Sequence, residues 1–331
     1  MASAQIETEE TVLRKTVLYS EVSIFLPGDI ELDSGETLSK PELSVRIYGD
    51  LTQPVVAAAG GVSSGRIIAD TSEDRGWWQE FVSAGGAINL DEYCVIGFDF
   101  LPNPGEAART ISTADQARAF AHALDIIGVE KLYAFAGASY GGMVGLKFAE
   151  LFPERIEKLI AISAPDRPHP AATAQRGVQR RIIQFANDCG RPEEGVSLAR
   201  QLAMVSYRTP EEFEQRFASN AYGEAAGAPY DICEYLIARG EAYDVSAERY
   251  LTLSDSIDRH RADPAKIKAD TLVIAATSDR LSPPADLKRL AGVIDAARFV
   301  EIPSLFGHDA FLKEPGAIGP HIKEFLKGAK S

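Results

Sequence analysis

The pentapeptide Gly137-Ala138-Ser139-Tyr140-Gly141 restricts this chain more than any other stretch of its sequence. It has the pattern G-x-S-x-G, follows the continuous apolar run Leu132-Tyr133-Ala134-Phe135-Ala136, and precedes a helical pattern over residues 142–149. A serine between a buried strand and a helix occupies a turn so sharp that only small neighbours fit. The turn also pushes the serine hydroxyl into the open. An incidental serine in a glycine-rich turn would need neither the strand nor the helix. The pattern therefore predicts an α/β chain with Ser139 as a nucleophile at the carboxyl end of a strand.

The rest of the chain has the same alternation. Residues 55–59, 94–98, 159–162 and 272–276 form largely continuous apolar runs, as expected of parallel strands buried on both faces. Residues 43–48 instead alternate apolar with polar, as a half-buried strand does. Helical patterns lie over 114–127, opened by a Ser112/Thr113 cap, over 142–152, ended at Pro153, and over 317–326. Strands alternating with helices predict a mostly parallel, doubly wound sheet. Residues up to about 40, with turns at Pro27-Gly28-Asp29 and Asp33-Ser34-Gly35, read as a leading arm. Between about 165 and 263 the rhythm breaks into helices expected over 174–185, 193–205, 210–217 and 232–239. Residues 1–165 and 264–331 are thus expected to form the core, and 166–263 a helical lid inserted over the strand ends, where ligands of such sheets bind.

Composition excludes several classes of partner. A chain of 331 residues with 45% hydrophobic and 25% charged residues is globular. No apolar run approaches the roughly 20 residues needed to span a bilayer. The acidic first ten residues hold no hydrophobic signal region, so no secretory leader is expected. Cys94, Cys189 and Cys233 lie far apart and lack metal-ligand spacing, which fits thiols in the cytosol and predicts no metal. A net charge of −14 argues against nucleic acid as partner. It leaves room for a small anion held by clustered arginines, the densest cluster being Arg176, Arg180 and Arg181.

A serine hydroxyl becomes nucleophilic when a base takes its proton and an acid orients that base. In α/β-hydrolase folds the chain order is Ser, then Asp or Glu, then His. Asp279 follows the strand at 272–276, and His308 follows another at 299–302. His122 and His321 fall inside helices, and His169 and His260 bracket the insertion, so His308 is the expected base and Asp279 its orienter. Asp258 and Asp263 are the alternative acids. The oxyanion hole needs two backbone N–H groups. Tyr140, after the nucleophile, supplies one, and Gly61, in the glycine-rich loop after the strand at 55–59, supplies the other. Neither G-x-x-x-x-G-K-S/T nor G-x-G-x-x-G occurs, which leaves nucleotide hydrolysis and hydride transfer without support.

Such a triad makes an acyl-enzyme without saying what attacks it next. Water gives an esterase or lactonase, a bound hydroxyl compound gives a transferase, and a ligand receptor on the same fold needs no attack at all. Ser139-Tyr140-Gly141-Gly142-Met143 and Gly307-His308-Asp309-Ala310-Phe311-Leu312 resemble the nucleophile segment and the G-H-D-A/S-F-L signature of the homoserine O-acyltransferase family of the α/β-hydrolase superfamily. Val178-Gln179-Arg180, and Arg200 followed seven residues later by Tyr207, resemble segments of that family's insertion. The resemblance runs from about residue 40 to the C-terminus. The loop at 59–66 departs from the H-A-L-T-G-type loop of acetyltransferase members.

The resemblance implies an acyl-CoA co-substrate, acetyl or succinyl, with no permanently bound cofactor, and homoserine, or in some relatives serine, as acceptor. It further implies methionine biosynthesis, a cytoplasmic setting and a homodimer formed through lid helices. Homoserine is zwitterionic. Arg200 offers its carboxylate a bidentate fork, Tyr207 a hydrogen bond, and Asp309 a counter-charge for its ammonium. Asp309 could equally cap the helix starting at Ala310. Arg180 and its neighbours are expected along the CoA path, and Arg66 beside a succinyl carboxylate.

Overall fold

The computed structural model describes residues 17–26, 28–218, 220–224, 227 and 230–328. The acidic first ten residues and Pro27 of the first expected turn lie outside them. The main sheet has eight strands among the described residues: β1 (Tyr19–Phe25), β4 (Glu42–Tyr48), β5 (Val55–Ala59), β8 (Cys94–Phe98), β9 (Leu132–Ala138), β10 (Ile156–Ile162), β11 (Asp270–Ala276) and β12 (Ala297–Ile302). Two short pairs stand apart, β2 (Asp29–Glu31) with β3 (Thr37–Ser39) and β6 (Val82–Ser83) with β7 (Ile88–Asn89).

The strand order is β1-β4-β8-β5-β9-β10-β11-β12. Only β1–β4 and β4–β8 pair antiparallel; every later pair is parallel. The mostly parallel α/β sheet is as expected, with one correction. Part of the segment read as a leading arm is β1, the edge strand, fully in register with β4 from Tyr19↔Tyr48 to Phe25↔Glu42.

The apolar strands are buried on both faces because helices cover both. In β5, Val55, Ala57 and Ala59 enter one hydrophobic core, while Val56 and Ala58 enter the other. The first core is closed by α1 (Thr113–Ile126), α2 (Tyr140–Leu151) and α8 (Pro284–Ala291) through side chains such as Phe120, Phe148 and Leu287. The second is closed by Trp78, Phe81 and the last helix, with Ile318, Ile322 and Phe325 inward. Helix α1 starts at a capping box, in which the Ser112 side chain accepts from the Asp115 amide and the Asp115 side chain accepts from the Ser112 amide.

Between β10 and β11 the described residues form α3 (Pro170–Asp188), α4 (Pro192–Tyr207), α5 (Pro210–Arg216), α6 (Asp231–Glu241) and α7 (Ala247–Arg259). Four of these match expected helices; α7 was not foreseen. After β12 come α9 (Ala310–Lys313) and α10 (Pro315–Lys327).

The insertion rejoins the core at His260. This imidazole is 0% exposed, and its Nδ1 lies 2.8 Å from Thr113 Oγ1. Burial, with repulsion from Lys147 and Arg261, pulls its pKa down to about 3. The unfolded chain therefore binds a proton here at a pH where the folded chain does not. Stability is expected to fall as pH drops below about 6.5. His260→Asn should show a smaller drop in unfolding temperature than the native chain between pH 7.5 and pH 5; equal drops would remove His260 as the cause.

Candidate active site

The turn from β9 into α2 holds Ser139 at φ 52°, ψ −122°, a positive-φ conformation that a serine adopts only where its surroundings enforce it. The enforcement is local crowding. A Cβ on Gly137 would lie 2.5 Å from the Gly142 Cα, and one on Gly141 would strike the Ala59 carbonyl. The Gly141 amide donates to the Gly60 carbonyl at 2.7 Å, and the Ser139 amide to that of Ile162 at 2.8 Å. Those two bonds hold the elbow against β5 on one side and β10 on the other.

Ser139 Oγ lies 2.8 Å from His308 Nε2, and His308 Nδ1 lies 2.8 Å from Asp279 Oδ2. The other oxygen, Asp279 Oδ1, accepts from the Leu281 and Ser282 amides at 2.9 Å each. That fixes the fully buried carboxylate after β11. Burial pulls the His308 pKa down, but the charge and hydrogen bond of Asp279, with the charge of Asp309, more than offset it. The imidazole therefore sits above the ordinary histidine value. His308 is held to the insertion as well as to the core. Gly307, at φ 58°, leaves space for the Tyr207 carbonyl, which would lie 2.6 Å from a Cβ there. Thr209 Oγ1 donates to the Leu305 carbonyl at 2.6 Å.

Asp258 and Asp263 stand elsewhere. Asp258 accepts from Thr173 Oγ1 at 2.7 Å and pairs with Arg176 at 2.6 Å and Arg180 at 2.7 Å, stitching α7 to α3. Asp263 pairs with Lys266 at 3.3 Å.

A cavity of about 550 Å³ opens over the elbow, lined by Ser139, His308, Gly61, Arg200, Tyr207 and Asp309 among others. Neither the Gly61 nor the Tyr140 N–H has a protein acceptor among the described residues. The Tyr140 side chain points away into the core, its hydroxyl 2.7 Å from Ser256 Oγ. Arg200 lies under Tyr243 and Tyr207, 4.6 and 5.5 Å from their ring centroids. Its Nε is buried without a hydrogen-bond partner, and no acid pairs with it among the described residues. The side chain as a whole is half-buried and lines the cavity, so its charge faces that cavity without an acid beside it among the described residues.

The expected contacts of Arg66 and of the arginine cluster are corrected. Arg66 does not line the cavity: it pairs with Asp99 at 2.6 Å and Glu21 at 3.3 Å, two acids that the folded sheet brings to it. Arg180 is likewise outside the cavity wall, its guanidinium held by Asp258 and by the Ser254 carbonyl at 3.0 Å. Arg181 is exposed and does not line the cavity, and Arg176 lines it while paired with Asp258. Asp309 makes no side-chain cap on α9. It lines the cavity and pairs with Arg208 Nε at 2.7 Å, while Arg208 also pairs with Glu212.

Two features escaped the sequence. Arg208 follows the quoted Tyr207, but nothing local reveals that it meets Asp309. The hydrogen bond of 3.1 Å from Ser63 Oγ to Tyr243 OH joins the glycine-rich loop to the insertion across 180 residues.

Comparison with known proteins agrees with this geometry. The family profile described as alpha/beta hydrolase fold matches residues 72–315. The homoserine O-succinyltransferase of Xanthomonas campestris pv. campestris is 41% identical over 288 residues, 82% of this chain and 75% of that protein. The homoserine O-acetyltransferase of Symbiobacterium thermophilum is 31% identical, covering 89% of this chain and 91% of that one. In fold, the chain matches the crystal structure of a homoserine O-acetyltransferase from Bacillus anthracis with a TM-score of 0.88, at 18% identity and over 96% of this chain and 99% of that one. It matches that of esterase E22 with a TM-score of 0.87, at 19% identity and over 94% and 100%. At those identities, structural likeness speaks for the fold alone, and a transferase and an esterase fit it equally well. The family assignment rests on sequence: this chain belongs to the homoserine O-acyltransferases of the α/β-hydrolase superfamily.

Proposed function

We propose that this protein is an acyl-CoA-dependent homoserine O-acyltransferase of methionine biosynthesis, acting by a ping-pong mechanism in the cytoplasm. The observation that carries this reading over an esterase is Arg200, a half-buried cation with no anion beside it among the described residues, in the same cavity as Ser139 and His308. Ester hydrolysis has no use for it, whereas an amino-acid acceptor brings a carboxylate.

Ser139 Oγ attacks the thioester carbonyl carbon while His308 Nε2 takes its proton, and the Asp279 carboxylate holds the imidazolium. The oxyanion accepts from the Gly61 and Tyr140 N–H groups, which are free for it. The C–S bond then breaks, and His308 returns the proton to the departing thiolate. Homoserine enters with its carboxylate on Arg200, beside Tyr207, and its ammonium near Asp309. Its hydroxyl gives a proton to His308 and attacks the acyl carbon. Ser139 leaves with that proton, and the O-acyl ester is released. Helices α3 to α7 act as the lid that keeps water from the acyl-enzyme.

Membership of a family that includes an O-succinyltransferase at 41% identity supports succinyl as the acyl group. Val178 and Phe185 on α3, and Leu198 and Val205 on α4, are apolar and exposed at seven-residue spacing, which supports a homodimer through these helices. Among the described residues no helix is long and apolar enough to cross a membrane.

The deciding measurement is product analysis with succinyl-CoA or acetyl-CoA, with and without homoserine or serine. O-acylhomoserine formed in step with CoA release is expected. CoA release indifferent to the acceptor, with free acid as the acyl product, would establish a hydrolase instead.

A pH profile tests the place of Asp309. His308 accepts a proton only when neutral, so its raised pKa sets the acid limb of kcat/KM at a higher pH than a free histidine gives. Asp309→Asn removes one of the charges that raise it, leaving Arg208 paired with Glu212. The limb should move to lower pH, while the homoserine KM rises. A limb that stays in place would separate Asp309 from the base.

A further inference from the structure

Six of the residues lining the cavity are Arg or Lys and two are Asp or Glu, in a chain whose net charge is −14. The imbalance is local and has a pattern. Arg176 and Arg208 are neutralised by Asp258, Asp309 and Glu212, and Arg200 is half-buried against Tyr243 and Tyr207. The remaining three, Arg75, Arg239 and Lys313, are exposed and therefore at the mouth. None of these three has an ion-pair or hydrogen-bond partner among the described residues. The other acid of the wall, Glu80, is exposed and accepts from Gln79 at 2.8 Å.

These cations line the same cavity from two parts of the chain. Arg75 and Lys313 belong to the core side, where the Trp78 indole N–H donates to the Phe311 carbonyl at 3.1 Å and ties the two segments together. Arg239 belongs to α6 on the insertion side. The next residue, Gly240, packs so closely on Ser197 that a Cβ would lie 2.5 Å from its Oγ. Tyr243, three residues further on, reaches back to Ser63 of the core. Both sides of the mouth are thus anchored while their cations stay uncompensated.

We infer that Arg75, Arg239 and Lys313 form a phosphate seat at the cavity mouth, which takes the 3′-phospho-ADP end of the CoA thioester. This rests on the function proposed above. A thioester carbonyl at Ser139 leaves the pantetheine arm running outward, so the phosphates emerge where these three side chains stand. The sequence placed this role on Arg180 and its neighbours, but Arg176 and Arg180 are held by Asp258. A local positive rim on an acidic protein also steers an anionic donor to the opening over Ser139.

The test compares donors that differ only in the nucleotide: acyl-CoA, acyl-3′-dephospho-CoA and acyl-pantetheine, with homoserine fixed. The native enzyme should prefer acyl-CoA in kcat/KM, and the preference should shrink at high salt. Each of Arg75→Gln, Arg239→Gln and Lys313→Gln should reduce the acyl-CoA to acyl-pantetheine ratio by about two- to fivefold, as expected of exposed charges. The triple variant should reduce it by about tenfold or more, while Arg239→Lys keeps most of it. A native ratio near one, or a ratio unchanged in a folded triple variant, overturns the seat. If no thioester acylates the native enzyme, the functional reading falls instead. Calorimetric titration with adenosine 3′,5′-bisphosphate then decides the seat alone, with retained affinity in the triple variant refuting it.

Discussion

Ser139→Ala should lower acyl transfer by about 10⁴- to 10⁶-fold while leaving the fold intact. The oxygen it removes is the one 2.8 Å from His308 Nε2. Without it the base has no proton to take and the acyl group no atom to rest on. Only the free N–H groups of Gly61 and Tyr140 and the binding cavity remain to favour the transition state. Intact-mass spectrometry after mixing with acyl-CoA should show an acyl adduct on the native chain and none on the variant. The thermal unfolding midpoint should change little, because the cavity accommodates the lost hydroxyl. Ser139→Gly should be as inactive yet no less stable than the alanine variant, since a φ of 52° suits glycine and strains alanine. An adduct of equal yield on Ser139→Ala would place the nucleophile elsewhere.

The second large effect belongs to Arg200. Arg200→Met should raise the homoserine KM by about 10²-fold or more, since the acceptor's carboxylate loses a charge-assisted, two-pronged partner in a half-buried place. Formation of the acyl-enzyme, read as the burst of CoA release, should be nearly untouched if this guanidinium serves the acceptor as proposed. Arg200→Lys should recover only part of the loss: an ammonium is a point charge and lacks the planar fork. Folding stability should not fall as it does when a buried ion pair is broken, because Arg200 has no anion to abandon among the described residues. An unchanged homoserine KM would remove Arg200 from the acceptor site and return the esterase reading.

Most of the expected strands were found within a few residues because they are apolar along nearly their whole length, which a sheet covered on both faces requires, while β4 showed itself by strict alternation. Helix α7 escaped for the opposite reason. It turns Thr252, Ser254 and Ser256 inward along with Leu253, so its buried face carries hydroxyls and hides the period. Edge strand β1 was missed because its burial is partial and polar residues alternate with Val22 and Ile24.

Order along the chain placed Ser139, Asp279 and His308 in advance, since a strand end followed by a turn fixes where such side chains point. What a charged side chain pairs with was not legible. Arg66 meets Asp99 at 33 residues' separation, and Arg180 meets Asp258 at 78. Local sequence records that a guanidinium is present and not whether an acid will reach it.

The sequence by itself determined the sheet, the elbow and the order of the triad, because these follow from local burial, small residues at a sharp turn and the ends of strands. The tertiary structure alone decided which cations are left without an acid. Neutralisation within 4 Å depends on which distant segments the fold brings together, so Arg66, Arg176 and Arg180 are bound into the frame while Arg200 waits in the cavity and Arg75, Arg239 and Lys313 at its mouth.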